Sequence, residues 1–372
     1  MPAPFFTTHP SANANFPLRE HVPLAPFTTF GIGGPARWFA PVATEDELAA
    51  ACAWASTENL PLFVLGSGSN VLVADSGFPG LVLHIALHGV REREQAGKRI
   101  FTVAAGEDWD ALVTRAVERN CAGMECLAGI PGTVGGTPVQ NVGAYGQEVA
   151  QTITSVRCYD RERAKFLAFP AGECGFAYRT SRFNTQPDCG RYIVTEVEFA
   201  LEPDAPPSLT YADLQRHFTS GQPSLKDVAE AVRTIRRLKG MLIEGGPLPQ
   251  RDPDTRSAGS FFKNPVVDAS TYHAIAASVA PALAPNYPAP NAPDGSTQRK
   301  LPAAWLLEQA GFPKGFRSGR AAVSSKHTLA LTNHSGDASA TEILSLRDTL
   351  IHGVQARFGV SLEPEPVLVG EA

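Results

Sequence analysis

The chain has 372 residues, of which 43% are hydrophobic and 19% are charged, a composition typical of a soluble globular protein of two or three domains. Its net charge of −5 gives no general electrostatic attraction to nucleic acid or to an anionic membrane, so we expect neither as a partner. No stretch reaches the roughly 18 to 20 apolar residues that a membrane span needs. Because residues 1–17 also lack the apolar core of a signal peptide, we expect a cytoplasmic protein.

The six cysteines form no Cys-x-x-Cys pair and have no nearby histidine that would complete a zinc pattern. We therefore expect free thiols in a reducing compartment and no bound metal. They are Cys52, Cys121, Cys126, Cys158, Cys174 and Cys189.

The first elements follow from local signals. Residues 1–17 are rich in Pro, Ala and Asn, which predicts a loose arm. Thr44 and Glu47 have the spacing of a capping box, which predicts a helix over about 45–58. Its inward face is predicted to consist of Leu48, Ala51, Cys52 and Ala55.

A small-residue turn, Gly66–Asn70, separates two short apolar runs that predict strands at 62–65 and 71–73. The turn is similar to that of a dinucleotide-binding fold, but such a fold needs a helix directly after the glycines. Since β-branched residues follow here, we expect any phosphate to be held by loop amides and by Ser and Asn side chains.

Later elements are read from periodicity and capping signals. Strands are predicted near 81–85, 100–104, 156–159 and 192–199, and around Leu329 and Leu331. Helices are predicted near 109–120, after Ser224 and between 302 and 311. Ser339 with Glu342 is predicted to cap a long final helix that carries Ile343, Leu346, Leu350, Val354 and Phe358. The proline-rich stretch 245–255 predicts a domain connection, and 281–298 predicts a loop. The basic run 233–239 reads by default as a solvated helix face, although it could meet a phosphate.

The loop 128–146 contains six glycines and two prolines. Such a cluster indicates positive φ angles or a backbone that another group approaches closely. Successive amide N–H groups in such a turn can bind an anion, typically phosphate. A tight surface connection is the alternative, but the prolines stiffen the loop and favour the ligand-binding interpretation.

Six segments taken together, in this order along the chain, resemble the family of UDP-N-acetylenolpyruvoylglucosamine reductases, flavoenzymes of bacterial cell-wall synthesis. Each segment alone is a weak signal, whereas the ordered set covers nearly the whole chain and is specific. The segments are 29–34, 65–72, 129–146, 178–179, 259–265 and 362–365.

The resemblance implies an α+β protein with a PCMH-type, vanillyl-alcohol-oxidase-like FAD-binding fold of two α/β subdomains and a C-terminal α+β substrate-binding domain. It places the first subdomain at 18–88, with 363–372 returning to it, the second at 89–240 and the substrate domain at 241–362. It also implies non-covalent FAD, NADPH as the hydride source and a UDP-sugar enolpyruvyl ether as the substrate. We expect a monomer.

In the family, NADPH reduces FAD, and the flavin hydride then passes to the enolpyruvyl group, giving UDP-N-acetylmuramate. Negative charge develops on the substrate carboxylate and must be stabilised, for which the fixed charge and paired N–H groups of Arg179 are suited. By resemblance Ser260 donates the proton, polarised by Lys263 or a water, and Glu365 holds the arrangement or shares a proton. Taken one at a time, Arg179 would be interpreted as a surface cation, Ser260 as a turn residue and Glu365 as a solvated carboxylate.

The remaining site residues come from the same resemblance, with Lys239 and His327 the less specific matches. Glu308 also fits a family position, although a helix-surface pair explains it equally well. The expected cofactor-binding residues are Gly66, Ser67, Gly68, Ser69, Asn70, Gly129, Gly132, Thr133, Gly135, Gly136, Asn141, Gly143 and Ala144. The expected substrate-binding residues are Tyr178, Tyr211, Lys239, Asn264 and His327.

Two rival functions remain open at this point. One is another flavin enzyme of the same superfamily, such as a 2-hydroxy acid or sugar-lactone oxidase, which would lack the 259–265 and 362–365 segments. The other is a non-catalytic module that binds nucleotide sugars and needs no flavin.

Overall fold

The computed structural model describes residues 15–219, 221–244, 250–289, 291–292 and 294–370. These residues divide into two compact units. The first unit holds the described residues up to Pro23, together with Pro35–Ser67 and Phe78–Arg236. The second unit holds Leu24–Gly34, Gly68–Gly77 and the described residues from Arg237 onward.

The elements are numbered in chain order across both units. The strands as far as residue 203 are β1 (Arg19–Pro23), β2 (Pro35–Val42), β3 (Leu62–Leu65), β4 (Val71–Val73), β5 (Phe78–Ile85), β6 (Val90–Gln95), β7 (Lys98–Ala104), β8 (Cys121–Ala122), β9 (Gly143–Ala144), β10 (Gln147–Glu148), β11 (Ile153–Asp160), β12 (Lys165–Pro170) and β13 (Tyr192–Pro203). The later strands are β14 (Val266–Asp268), β15 (Tyr287–Pro288), β16 (Gln298–Lys300), β17 (Arg317–Ser318), β18 (Ala321–Val323), β19 (Leu331–Asn333) and β20 (Val367–Val369). The α-helices are α1 (Glu45–Thr57), α2 (Trp109–Glu118), α3 (Ala212–His217), α4 (Leu225–Leu238), α5 (Ala269–Ser278), α6 (Ala303–Gln309) and α7 (Ala340–Phe358).

Capping explains where the first and last helices begin. Before α1, the Thr44 hydroxyl accepts the Glu47 N–H at 3.1 Å, and the Glu47 carboxylate accepts the Thr44 N–H at 3.2 Å. Ser339 and Glu342 form the same reciprocal pair before α7. Both capping boxes were predicted, and the four predicted core positions of α1 are buried.

The first unit contains two principal sheets. In the first sheet β2, β5 and β3 run parallel, and β1 is antiparallel to β2 at its edge. The second is antiparallel, in the order β12-β11-β13-β7-β6, with β8 also pairing with β13. One hydrophobic core includes residues from both sheets and from α1, α2 and α4.

The second unit is built from smaller sheets and the long helix α7. Its sheets are the parallel pair β4 and β20 and the antiparallel triplets β14-β16-β15 and β17-β18-β19. Its core is lined along one face of α7 by Ile343, Leu346, Leu350, Val354 and Phe358, as their helical spacing predicts. The mixture of helix and sheet confirms the predicted α+β class.

Three local predictions need correction. Residues 1–14 of the predicted loose arm lie outside the described residues, but Phe16 is buried and its ring lies 6.0 Å from that of Trp54. The stretch 281–298 is not entirely a loop, because β15 pairs with β16. Residues 245–249 of the predicted connection are outside the described residues, and the stretch ends in a 3-10 helix, Pro253–Thr255, with Asp254 buried in the second unit.

Two further observations concern the cysteines and the length of the helices. All six cysteines are free thiols, as expected, and five of them are buried. Among the described residues, no helix combines the length and apolarity that crossing a bilayer requires.

Candidate active site

Gly66, at the start of the Gly66–Asn70 turn, lies directly against the glycine loop in the first unit. A Cβ added to Gly66 would stand 2.7 Å from the Thr133 hydroxyl, so glycine permits this close approach. Within the second unit, Gly68 has φ +66° and a Cβ there would overlap the carbonyl oxygen of Phe27. As predicted, strand β4 and not a helix follows the turn, which excludes dinucleotide-fingerprint geometry.

The amides in the middle of the glycine loop bind protein oxygens. The N–H groups of Val134 and Gly135 donate to the carbonyls of Glu107 and Ala105 at 2.9 and 2.8 Å. Those of Gly136 and Thr137 donate within the loop at 3.0 and 3.1 Å. The expectation that successive amides form an anion cradle is therefore wrong for residues 134–137.

Asn141 joins the glycine loop to the turn that carries Arg179. Its side-chain amide donates to the Glu148 carboxylate at 2.9 Å and to the Ala177 carbonyl at 3.1 Å. Its oxygen accepts the Ala150 N–H at 3.1 Å. The Asn141 side chain, predicted to bind cofactor, thus has a structural role. The backbone of Asn141 has φ +44°, a conformation that asparagine adopts more readily than most residues.

Gly129 is held from both sides by charged residues that sequence analysis did not single out. Its N–H donates to the Asp110 carboxylate at 2.6 Å, and its carbonyl accepts Nε–H of Arg236 at 2.8 Å. Arg233 pairs with the same Asp110 at 2.8 Å. Burial lowers the pKa of Arg236, whose side chain also bonds to Tyr145.

The run 233–239 is therefore only partly solvated, because Arg236 is buried while Arg237 is about half exposed. Arg236 lies four residues beyond the buried Val232 and eight beyond the buried Val228, so it occupies the same inward face of α4. That helical spacing was the signal that could have identified it from the sequence.

Tyr178 and Arg179 occupy a tight turn between Ala177 and Thr180, which pair as an isolated bridge. Arg179 has φ +57°, an uncommon backbone conformation for a residue with a side chain. Its guanidinium lies 5.6 Å from the ring centroid of Tyr178, which is 44% exposed. The turn thus places a partly buried guanidinium beside an exposed aromatic ring.

Tyr211 lies immediately before α3 and contacts Tyr145, near the end of the glycine loop. Its ring meets that of the buried Tyr145 edge to face at 5.4 Å, while 41% of Tyr211 is exposed. Gly146 has φ +87°, and a Cβ there would overlap the Thr210 hydroxyl. Burial raises the pKa of Tyr145, so this ring is a neutral platform for Tyr211.

The second unit carries Ser260, His327 and Glu365 on neighbouring segments. The Phe261 N–H donates to the Leu329 carbonyl at 2.7 Å, and the Phe261 carbonyl accepts the Glu365 N–H at 2.9 Å. Ser260 Oγ lies 3.4 Å from Nε2 of His327. The backbone thus fixes Ser260 between the two segments that bear His327 and Glu365.

Lys263, expected to polarise Ser260, forms an ion pair with Glu363 instead. Its ammonium bonds to the Glu363 carboxylate at 2.7 Å. Asn264, predicted to contact substrate, accepts the Ala303 N–H at 2.9 Å and so caps α6. Lys239 follows α4 in a turn where Gly240 has φ +64°.

The comparisons with known proteins cover both ends of the chain. The FAD binding domain family matches residues 36–165, and the family described as UDP-N-acetylenolpyruvoylglucosamine reductase, C-terminal domain, matches 250–369. The UDP-N-acetylenolpyruvoylglucosamine reductase of Thermobifida fusca is 44% identical over an alignment of 356 positions, which covers 94% of this chain and 98% of the relative. This chain belongs to the UDP-N-acetylenolpyruvoylglucosamine reductase family.

Two further comparisons agree with this assignment. The reductase of Streptomyces coelicolor is 43% identical over 365 residues, covering 96% of this chain and 92% of that relative. The crystal structure of the Thermus caldophilus reductase superposes with a TM-score of 0.63 at 27% identity, covering 95% and 99% of the two chains. The predicted family, the FAD-binding fold and the oxidoreductase class are confirmed.

The glycine turns fit an FAD-binding role. Gly136 is exposed, and a Cβ there would meet nothing within 4 Å among the described residues. Another group can therefore approach the backbone at this point, beside the contact between Gly66 and Thr133. The individual cofactor-binding residues given above remain predictions.

Proposed function

We propose that this protein uses NADPH and FAD to reduce the enolpyruvyl group of UDP-N-acetylenolpyruvoylglucosamine, giving UDP-N-acetylmuramate for peptidoglycan synthesis in the cytoplasm. The observation that carries the proposal is the placement of Ser260, which two backbone hydrogen bonds of Phe261 fix between the His327 and Glu365 segments. Identity of 44% to an enzyme named for this substrate, over nearly the whole chain, supports it.

Arg179 is proposed to bind the substrate carboxylate. Addition of hydride to the terminal carbon of the enol ether moves negative charge onto that carboxylate, and a fixed cation stabilises the charge as it forms. The backbone of the turn is anchored at both ends, since Asn141 bonds to the Ala177 carbonyl and Asn184 bonds to the Arg179 carbonyl at 3.2 Å.

Ser260 is proposed to deliver the proton to the second carbon of the enolpyruvyl group. A bound FAD would supply the hydride chemistry between NADPH and the substrate. Glu365 is proposed to hold the developing enolate or share a proton with it. Its segment is fixed to the serine segment by the bond from the Glu365 N–H to the Phe261 carbonyl.

The remaining predicted contacts would hold the rest of the substrate. Tyr211 offers an exposed ring on the Tyr145 platform for the UDP part, with Tyr178 beside Arg179. Lys239 and Asn264 are proposed as further polar contacts. We expect a monomeric enzyme.

The test is to mix the purified protein with NADPH and the enolpyruvyl UDP-sugar and follow NADPH absorbance. We expect consumption that depends on the sugar. Persistence of the absorbance with flavin bound would reject the substrate, and a colourless, FAD-free protein that still binds the sugar would establish the binding-module alternative.

The two half-reactions separate the role of Ser260. Ser260→Ala is expected to keep flavin reduction by NADPH and to slow reoxidation by the sugar by roughly 10²- to 10⁴-fold, the usual contribution of a positioned proton donor. Ser270→Ala, which removes a serine bonded to the exposed Asp268, is the matched control and should change neither rate. Equal losses in both half-reactions would remove Ser260 from the proton-donor role.

A further inference from the structure

The Ser260 hydroxyl faces the imidazole of His327 inside the second unit. The 3.4 Å between Oγ and Nε2 is at the long end of hydrogen bonding, in a partly buried location. Hydrogen bonds between catalytic groups are often long in a protein without its substrate and shorten when the complex forms. The geometry therefore allows direct proton exchange between the two side chains.

The backbone holds His327 in this position from both sides. Its N–H donates to the buried Ser324 hydroxyl at 3.1 Å, and its carbonyl accepts the Ala330 N–H at 3.0 Å. Two residues after His327, the Leu329 carbonyl accepts the Phe261 N–H at 2.7 Å. Serine and histidine thus sit on two segments that are hydrogen-bonded to each other.

Four charged side chains lie on the segments that carry Ser260 and His327 or bond to the His327 segment. Lys263 bonds to Glu363, and Lys326 bonds to Asp252. The Asp254 carboxylate accepts both the N–H and the hydroxyl of Ser325, at 2.8 and 2.6 Å. On the far side of His327, the Thr328 hydroxyl donates to Glu308. Each of these four charged side chains, Lys263, Lys326, Asp254 and Glu308, therefore bonds to a partner other than Ser260. The imidazole of His327, by contrast, lies beside Ser260.

A serine that gives up its proton alone leaves an alkoxide, which is a costly species at neutral pH. We propose that His327 is the proton-relay partner of Ser260 in the oxidative half-reaction, which rests on the function proposed above. As the Ser260 O–H bond breaks and the new C–H bond forms on the substrate, the imidazolium Nε2–H transfers its proton to the serine oxygen. Solvent then reprotonates the neutral imidazole, so one solvent proton enters the product per turnover. His327 is a positioning and relay residue, and its predicted role as a substrate contact is the competing explanation.

The test compares rapid kinetics of His327→Gln with the wild type and with His334→Gln, which alters a histidine bonded to the exposed Arg317 at 2.8 Å. The relay predicts unchanged flavin reduction by NADPH, an unchanged KM for the sugar and a reoxidation rate lowered by about 10²-fold. A reoxidation rate within about twofold of wild type, or a raised KM with an unchanged maximal rate, would overturn it.

A second measurement needs no variant. In mixtures of H₂O and D₂O, the relay predicts that the reoxidation rate of the wild-type protein depends non-linearly on deuterium fraction, because two protons move together. A linear dependence, which indicates a single proton in motion, would overturn the relay. If the wild-type reduced flavin is not reoxidised by the sugar at all, the proposed function fails, and that outcome is distinct from either result above.

Discussion

Replacing Arg236 by methionine tests whether this buried arginine holds the glycine loop in its conformation. The change keeps much of the side-chain volume but removes the 2.8 Å bond to the buried Gly129 carbonyl and the bond to Tyr145. Hydrogen bonds to charged groups contribute about 1.5 to 3 kcal/mol, and an unsatisfied buried acceptor costs about 1 to 3 kcal/mol. Relief of the desolvation of the charge offsets part of this loss. We expect a net loss of about 2 to 4 kcal/mol in the free energy of unfolding.

Urea unfolding followed by circular dichroism measures that loss, and flavin fluorescence measures FAD affinity. Arg237→Met is the matched control, because the neighbouring guanidinium pairs with Glu244 at 2.6 Å while both side chains are about half exposed. Exposed pairs of this kind are typically worth about 0 to 1 kcal/mol. If a shift of the loop costs about 1.4 kcal/mol of binding, FAD affinity falls about tenfold in Arg236→Met. Equal unfolding midpoints for the two variants, or unchanged FAD affinity, would refute the reasoning.

Two other predictions concern charge. Arg179→Lys keeps the charge but loses the paired N–H groups that can hold a carboxylate. A loss of about 1.5 to 3 kcal/mol of transition-state stabilisation corresponds to a fall in kcat/KM of roughly 10- to 150-fold, measured in the NADPH assay. A fall below threefold would contradict the proposed carboxylate contact. The Arg320 side chain and the Ser339 N–H lower the pKa of Glu342 from 4.5 to about 2. The stability that Glu342 contributes should therefore be complete above pH 4.5 and be lost as the pH falls toward 2. Unfolding of wild type and Glu342→Gln across this range measures the effect, and a stability difference that does not change with pH would contradict it.

The parts of the fold that the sequence predicted are those with local causes. The two capping boxes and the inward face of α7 depend on residues a few positions apart, and each was correctly placed. Phe16 was misassigned because its partner Trp54 lies in a helix that follows two strands later in the chain, and nothing in the composition of the arm indicates that contact.

Family resemblance predicted which residues form the candidate site, but it did not predict the contacts that these residues make. The glycine segments and the Tyr178–Arg179 pair were identified through family resemblance, whereas the partners of Gly129 were not. Asp110 and Arg236 come from two different helices, and only tertiary packing brings them to one peptide group. Lys263 was likewise a reasonable neighbour for Ser260 by sequence, but the structure pairs it with Glu363.

Strand β4 directly follows the Gly66–Asn70 turn, and its partner is β20, with Val71 beside Val367. During synthesis on the ribosome, the turn therefore emerges long before the strand that completes its sheet. The Asn70 carbonyl accepts the Val367 N–H at 2.9 Å, and this hydrogen bond cannot form until residue 367 has been made. Because chains begin to fold from the N-terminal side as they are made, the turn is expected to reach its final structure only after residues 367–369 have been made, and so would the flavin site predicted there.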